Sequence, residues 1–438
     1  MTKVTLVQVG DIHYPDWTQT PYETDEKDKK LSAGIRAGVT HAPMRLVLGK
    51  LASLAEHAHT AAVAFMGDFT SRGQKAPLAA ALSHMSWLCR ADRGRQGLPT
   101  LLLVPGNHDV SKADAVDLGQ AGKFEAMAKL AEAALFEPMP VEGHVAASFS
   151  ATGGGKVSVF LLNTTLGSWE PYLLPEPLEA AVNKAPDAVP SARVSDAEIA
   201  VAGASANPEP LGYYDQLDTP YVSARSLQEL REAVRATPRG DAIVIIGHHN
   251  LLPQEQPRLS NYAELINAGY FRRFLLSLDR PIVYLHGHTH KDTVEEVVDP
   301  RKPRSRVVCI AAPKLEDGFN EISFHFDARG GALGLRLLPW RLAGDRGSFN
   351  PVAAEQAALS LINGVLRPSK DAHELHDKLT STSSDRFHVY DIEDLAEGVA
   401  VDILTARLLE LFFWRWIEIS NVAAPWEEWV VIPRRLRA

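Results

Sequence analysis

Cysteine is almost missing from this 438-residue chain. Only Cys89 and Cys309 occur, far apart and without a Cys-x-x-Cys spacing. That excludes a disulfide framework and a thiolate zinc site, and a reducing cytoplasmic location is expected. Long apolar runs are missing as well. The most apolar late stretch, Ile403 to Ile419, is broken by Arg407, Glu410, Arg415 and Glu418, and a membrane span needs ~20 apolar residues in succession. No membrane segment is expected. A cleavable signal would have to remove Asp11, since a strand pattern begins almost at Met1, so none is read. Positive charge is also short. The net charge of -9 argues against holding nucleic acid mainly through a basic surface. The exceptions are Arg301 to Arg306 and Arg434-Arg435-Leu436-Arg437. No internal repeat or low-complexity tract is present.

What the chain does have is five short polar motifs, each placed after a short apolar run. They are Asp11-Ile12-His13, Gly67-Asp68, Gly106-Asn107-His108-Asp109, Gly247-His248-His249, and His286-Gly287-His288-Thr289-His290. The preceding runs, Val4 to Val9, Ala61 to Met66, Leu101 to Val104, Ala242 to Ile246 and Ile282 to Leu285, read as strands buried on both faces. Every candidate ligand therefore sits at the carboxyl end of a strand, the edge where layered α/β folds bind ligands.

Helical periodicity in Met44 to Leu54, Leu78 to Leu88, Phe124 to Leu135 and Leu227 to Val234 alternates with these strands. From Ile282 onward strands dominate: Thr293 to Val298, Val307 to Ala311, Glu321 to Phe326 and Leu333 to Leu338. Two sheets sandwiched between helices, an α-β-β-α arrangement of four layers, are predicted for residues 1–340. Segments 14–38, 166–220 and 250–261 read as inserts able to wall a site. Residues 341–438 read as a mostly helical extension. In it Asp391 is the expected N-cap, with Asp394 three residues on, of a helix striped by Val399, Ile403, Leu404, Leu408, Leu411 and Trp414. The cluster Phe412, Phe413, Trp414, Trp416 reads first as core packing, and second as an anchor for self-association or a protein partner.

The Asp, Asn and His set suits two hard or borderline divalent ions. Asp68 is the natural bridge between them. Asp11 and His13 can converge on one metal, and His286 and His288 can reach different metals from one loop. The neutral oxygen of Asn107 keeps the charge low enough to admit an anionic phosphate.

Taken in order, the motifs resemble those of the calcineurin-like metallophosphoesterases: Asp-x-His, Gly-Asp, Gly-Asn-His-Asp/Glu, a lone His, and Gly-His-x-His. The resemblance implies that Asp11, His13 and His288 bind the first metal, that Asp68 bridges, and that Asn107, His248 and His286 bind the second. It implies that His108 faces the leaving oxygen with its ring oriented by Asp109, and it leaves His290 beyond the pattern. Two divalent ions, Mn, Fe or Zn, are the implied cofactors. The implied reaction is in-line attack on a phosphoester by a hydroxide bridging them. Gly67-Asp68-Phe69-Thr70-Ser71-Arg72-Gly73 is most similar to the class III cyclic nucleotide phosphodiesterases, so a phosphodiester, cyclic nucleotide or related nucleotide, is the expected substrate. A DNA or RNA nuclease and a non-catalytic scaffold are the alternatives.

Overall fold

The computed structural model describes residues 2–14, 42–57, 59–90, 97–170, 218–253, 265–290, 294–342, 348–352, 356–362, 367–422 and 425–434. In chain order the first elements are β1 (Thr2–Val9), α1 (Ala42–Ala55), β2 (Thr60–Phe65), α2 (Lys75–Cys89), β3 (Thr100–Leu103), α3 (Lys112–Gly122) and α4 (Glu125–Ala133). Next come β4 (His144–Ser150), β5 (Lys156–Leu162), α5 (Ala224–Ala236), β6 (Ala242–Ile246), α6 (Ala268–Leu276) and β7 (Ile282–His290). The strands β8 (Val294–Asp299), β9 (Lys302–Pro313), β10 (Gly318–Phe326), β11 (Ala332–Leu342), β12 (Phe349–Pro351) and β13 (Ala357–Ser360) follow. The chain then forms α7 (Lys370–Ser381), β14 (Phe387–His388), α8 (Val389–Leu395), α9 (Val401–Phe413), β15 (Ile417–Ser420) and β16 (Val430–Pro433).

One sheet has the order β12-β11-β10-β1-β2-β3 with β13 also on β11; the second runs β4-β5-β6-β7-β9-β8. Alternation along β1 shows why it carries apolar residues of both parities. Val4 and Leu6 enter the core between the sheets, while Val7 and Val9 enter the core under the helices. The inter-sheet core joins them to Val159, Val244, Val283 and Ile310 of the second sheet. Outside the first sheet lie α1, α2 and α4, through Leu48, Leu82 and Met127. Outside the second lie α5 and α6, through Leu230 and Phe274. The predicted four layers are present.

A buried polar strap fixes one sheet on the other. Gln8 Nε2 donates to the carbonyls of His286 and Ile310 at 3.0 and 2.9 Å. Asn320 Nδ2 donates to Gln8 Oε1 at 2.9 Å and to the Ala311 carbonyl at 2.8 Å. These bonds span strands whose ends carry the motifs, so they set where β1 and β7 finish relative to each other.

The first sheet runs past the expected boundary at 340, because β12 and β13 both pair with β11. Of the expected inserts, residues 15–38, 171–217 and 254–261 lie outside the described residues. The helix expected from Asp391 is two helices. Gly398, at φ +80°, sits in the turn between α8 and α9, a left-handed conformation that a helix interior cannot continue. Asp391 is not the cap itself; its carboxylate accepts from the His388 N–H at 2.9 Å. Phe413 is buried (1% exposed) with Leu404, Leu408 and Leu411 in a core of its own. Its ring lies over Gly334 of β11, where a Cβ would collide with it. Phe412, Trp414 and Trp416 pack on the same core. Of the basic run, Arg301 pairs with Asp299 and Arg306 with Glu296. No helix among the described residues is long and apolar enough to cross a membrane.

His325 of β10 lies in the joint, its ring 5.7 Å from that of Phe413. Burial, reinforced by Arg336 and Lys3, pushes its pKa down to about 3. The depressed value means that its neutral form stabilises the fold above the unfolded value near 6.5. That contribution is lost as pH falls from there towards 3. His325→Leu should therefore flatten the loss of stability in that window by up to about 1.4 kcal/mol per pH unit, measured by urea unfolding from pH 7 to 3.5; equal slopes would show that His325 takes up its proton over the same pH range in both states.

Candidate metal centre

The five motifs meet at the carboxyl ends of β1, β2, β3, β6 and β7. Two glycines let them approach. A Cβ on Gly67 would run into the backbone of Gly106, and one on Gly106 into the Asp68 carboxylate. Four other residues of the motifs, His13, Asp68, His288 and His290, have φ between +48° and +65°. Non-glycine residues held there cost about 1–3 kcal/mol each and cluster at functional sites.

Asp68 is central. Its carbonyl accepts from Ile12 and His13 N–H at 2.9 and 2.8 Å, which ties the first loop to the second. Its Oδ1 accepts from the His108 N–H at 2.8 Å. Its Oδ2 lies 3.3 Å from His248 Nε2 and 4.0 Å from His13 Nε2. His248 also places Nε2 3.0 Å from Asn107 Oδ1, while its Nδ1 is 2.6 Å from the Met66 carbonyl. Asp11 accepts from the His288 N–H at 3.0 Å and lies 3.0 Å from His290 Nε2. His290 in turn has its ring 5.5 Å from that of His13. His288 stands on the other side, 5.1 Å from His248 and 4.5 Å from His249 by ring centroids.

Two features of the motifs differ from the sequence expectation. His286 stacks on Tyr284 at 5.7 Å, with its Nδ1 3.1 Å from the Gly287 carbonyl. Tyr284 belongs to the core under α5 and α6, so the two side chains share the outer face of the second sheet. His290, expected to be a bystander, is the residue beside Asp11. The ladder between β7 and β9 shifts register between His286 and His290, and the left-handed φ of His288 and His290 turns this end of the strand. As for Asp109, its oxygens accept from Thr70 N–H at 3.1 Å and Gly106 N–H at 3.0 Å. It braces the loops, while the His108 ring has Nδ1 3.1 Å from the Ser71 carbonyl. Burial and the neighbouring Asp68 push the Asp109 carboxyl up to about 8.

The electrostatics ask for cations. Burial alone would raise the pKa of Asp68, but His248, His108 and His13 hold it well below the usual range. Burial would raise Asp11 too, and His290 brings it down. His248 shows the reciprocal effect: burial would lower it, yet Asp68 and Asp11 keep it at about 10. His13, His249 and His288 are pushed down, chiefly by burial, and in each a buried Nε2 makes no hydrogen bond. Neutral imidazole nitrogens without a partner, beside ionised carboxylates, are the donor set a borderline divalent ion takes. One ligand atom each from Asp11, Asp68 and His248 lie within 4.8 Å of one another, as do those of His248, His249 and His288. The residues fit a metal.

Asp218 has no sequence signal. Its Oδ2 accepts from Asn107 Nδ2 at 2.9 Å, which turns Asn107 Oδ1 towards His248. Burial raises its carboxyl pKa. Trp169 adds a bond from Nε1 to the Asn107 carbonyl at 2.7 Å. Buried Lys123 holds that segment through the carbonyls of Leu166 and Ser168 and the carboxylate of Glu170. The two ends of the expected insert 166–220 thus wall the site beside Asn107.

The profile of the calcineurin-like phosphoesterase family (Metallophos) matches residues 4–292, and the chain belongs to that family. The match embraces all five motifs, and phosphoester hydrolysis with divalent metals is the chemistry of the class. Among curated proteins none matches the chain significantly. Among solved structures, a dimetal phosphatase from Danio rerio is 11% identical with a TM-score of 0.46, over 82% of this chain and 99% of that one. A 5'-nucleotidase precursor from Thermus thermophilus is 15% identical with a TM-score of 0.37, over 80% of this chain and 54% of that one. A phosphopantetheinyl hydrolase from Mycobacterium tuberculosis is 15% identical with a TM-score of 0.35, over 72% and 90%.

If Asp218 orients Asn107 towards a metal, Asp218→Ala should weaken Mn binding by about tenfold or more, the usual range for such supporting carboxylates. Asp218→Asn keeps an acceptor oxygen and should lose less. Calorimetric titration of the stripped proteins with Mn measures both, and equal affinities in all three would remove Asp218 from the centre.

Proposed function

We propose that this chain is a dinuclear metal-dependent phosphodiesterase, with Asp11, His13, Asp68 and His290 holding one ion and Asp68, Asn107, His248 and His288 the other. The observation that carries the reading is the set of contacts about Asp68: His13 and His248 both face its Oδ2, Asp11 and His290 lie together beside His13, and Asn107 and His288 flank His248, with Asp11 itself 3.6 Å from His248 Nδ1. This assignment puts His290 where the sequence pointed to His288, and moves His288 to the place given to His286. It also uses the literal Gly287-His288-Thr289-His290 as the Gly-His-x-His unit. When bound, two divalent ions supply Lewis acidity toward a phosphoryl group.

The rest is done by the chain. Asp68 presents its Oδ2 to both His13 and His248 and keeps its charge through the surrounding imidazoles. Asn107 contributes an oxygen without charge, which limits repulsion of an anionic ester. His108, whose ring is 5.4 Å from that of His13, is placed to hold or give a proton at the leaving oxygen. Thr70 Oγ1 donates to the His108 carbonyl at 2.9 Å, so the Gly67 to Gly73 turn positions that histidine. The same turn carries the similarity to class III phosphodiesterases, which supports a diester, nucleotide-type substrate.

Hydrolysis of bis-p-nitrophenyl phosphate and p-nitrophenyl phosphate, after metal stripping and return of Mn or Zn, tests the proposal. Diester cleavage should be the faster. Asp68→Ala and His290→Ala should each lose about a hundredfold or more in kcat/KM, and His286→Ala no more than a few-fold. Faster monoester cleavage would overturn the diester reading, and an equal loss in His286→Ala would overturn the ligand assignment. Inactivity with every metal would favour a scaffold.

A further inference from the structure

We propose that the C-terminal module is a winged helix whose α8–α9 pair docks a basic protein segment in place of nucleic acid. The topology identifies the module. From Lys370 the order is helix, strand, helix, helix, strand, strand, and its small sheet is arranged β14-β16-β15 with both pairings antiparallel. The hairpin β15–β16 is the wing. Helices α7, α8 and α9 close over one core with Trp429 and Val431. In such modules α8 and α9 form the helix-turn-helix, and the N-terminal residues of the second helix enter the major groove when DNA is bound.

Here those residues are wrong for DNA. The first turn of α9 is Val401, Asp402, Ile403, with Val401 and Ile403 each 47% exposed. Ile403 belongs to the apolar stripe read from sequence, yet the fold leaves it outside the core. Thr405 Oγ1 donates back to the Val401 carbonyl at 2.7 Å, and Arg407 is paired with Asp371 at 2.7 Å. Around this turn the exposed charges are Asp391, Asp394, Glu397 and Asp402 together with Lys378, whose Nζ donates to the Leu395 carbonyl at 3.3 Å, and the wing adds Glu427 and Glu428. From Arg367 to Arg434 the chain carries thirteen acidic residues against seven basic ones, and Arg435 and Arg437 do not reverse the balance. Such a surface repels a phosphate backbone. It attracts a partner rich in Lys and Arg. Tyr390 of α8 is a further exposed apolar side chain of the module, at 62%, and exposed aromatic and aliphatic side chains among charges are what protein interfaces use. The far end of α9 is fixed by Phe413 against the first sheet, so the helix is presented first turn outward on a rigid base.

Fluorescence anisotropy on the full chain tests this with three probes. One is a designed amphipathic helix of about twenty residues with a Leu face and a Lys face; the second replaces its Lys by Glu; the third is a DNA duplex of about twenty base pairs. The Lys peptide alone should bind. Val401→Asp with Ile403→Asp should weaken it about tenfold or more, as should Glu397→Lys with Asp402→Lys, and all variants should keep the parent's p-nitrophenyl ester hydrolysis and melting temperature. The proposal fails if the Lys peptide does not bind, or binds the variants equally through unspecific attraction. It also fails if the duplex binds and the same substitutions abolish it, or if light scattering finds a dimer lost in Ile403→Asp, which would make the occupant a second copy.

Discussion

Two carboxylates out of reach of water, with a ligand atom of each inside the same 4.8 Å group, are the constraint on which the rest of the site depends. At an effective dielectric near 20, like charges at that separation repel by roughly 3–4 kcal/mol, on top of the cost of burying each one. A fold stable by about 5–15 kcal/mol cannot leave that uncompensated. The surrounding chain answers it. Backbone N–H groups from His108 and His288 point at the carboxylates, and His248 carries a positive charge between them. The left-handed backbones of His13, Asp68, His288 and His290 aim three imidazoles and a carboxylate that an ordinary strand would send elsewhere. Strain, glycine contacts and shifted pKa values are thus consequences of one demand for positive charge, and divalent ions meet it more completely than protons do.

Meeting that demand requires the strand ends to be held in register across two sheets. The apolar core between the sheets is non-directional and would tolerate sliding. The bonds of Gln8 and Asn320 do not, because a shift by one residue would leave buried amides without partners. Placing the strap one residue before Val9, beneath Asp11, ties the most specific contact between the sheets to the position that most needs precision.

Much of this was legible in the sequence. Strands buried on both faces give continuous apolar runs, and such runs located β1, β2, β3, β6 and β7 together with the loops after them. The helices α1, α2, α4 and α5 showed their periodicity for the same reason. What the sequence could not show is how a backbone turns. Residues 286, 288 and 290 share one parity of a strand, so period two treats the three histidines alike; only the left-handed φ values and the register shift separate His286 from the others. Asp218 was hidden differently. It lies over a hundred residues from Asn107 in a segment without periodicity, and only the fold brings them together. In the extension, one apolar stripe concealed a break, because Gly398 ends α8 while the hydrophobic spacing carries on across it. The strands β12 and β13, short and half-buried, offered no alternation strong enough to move the boundary past 340.

The position of the C-terminal module bears on what it can do for the site. Strand β10 runs antiparallel to β1, pairing Asn320 with Gln8 near the metal ligands and His325 with Lys3 at the other end. The module touches β10 at His325 and β11 at Gly334, five residues along from the strap, or about 17 Å at the rise of an antiparallel strand. It therefore sits toward the opposite edge of the sheet from the loops that gather the carboxylates and imidazoles. Occlusion of the metal centre by the module body is not the geometry this gives. A module fixed there through Phe413 suits recruitment: it can hold a partner while the catalytic edge stays open, and the rigid sheet between the two fixes the distance at which that partner is held.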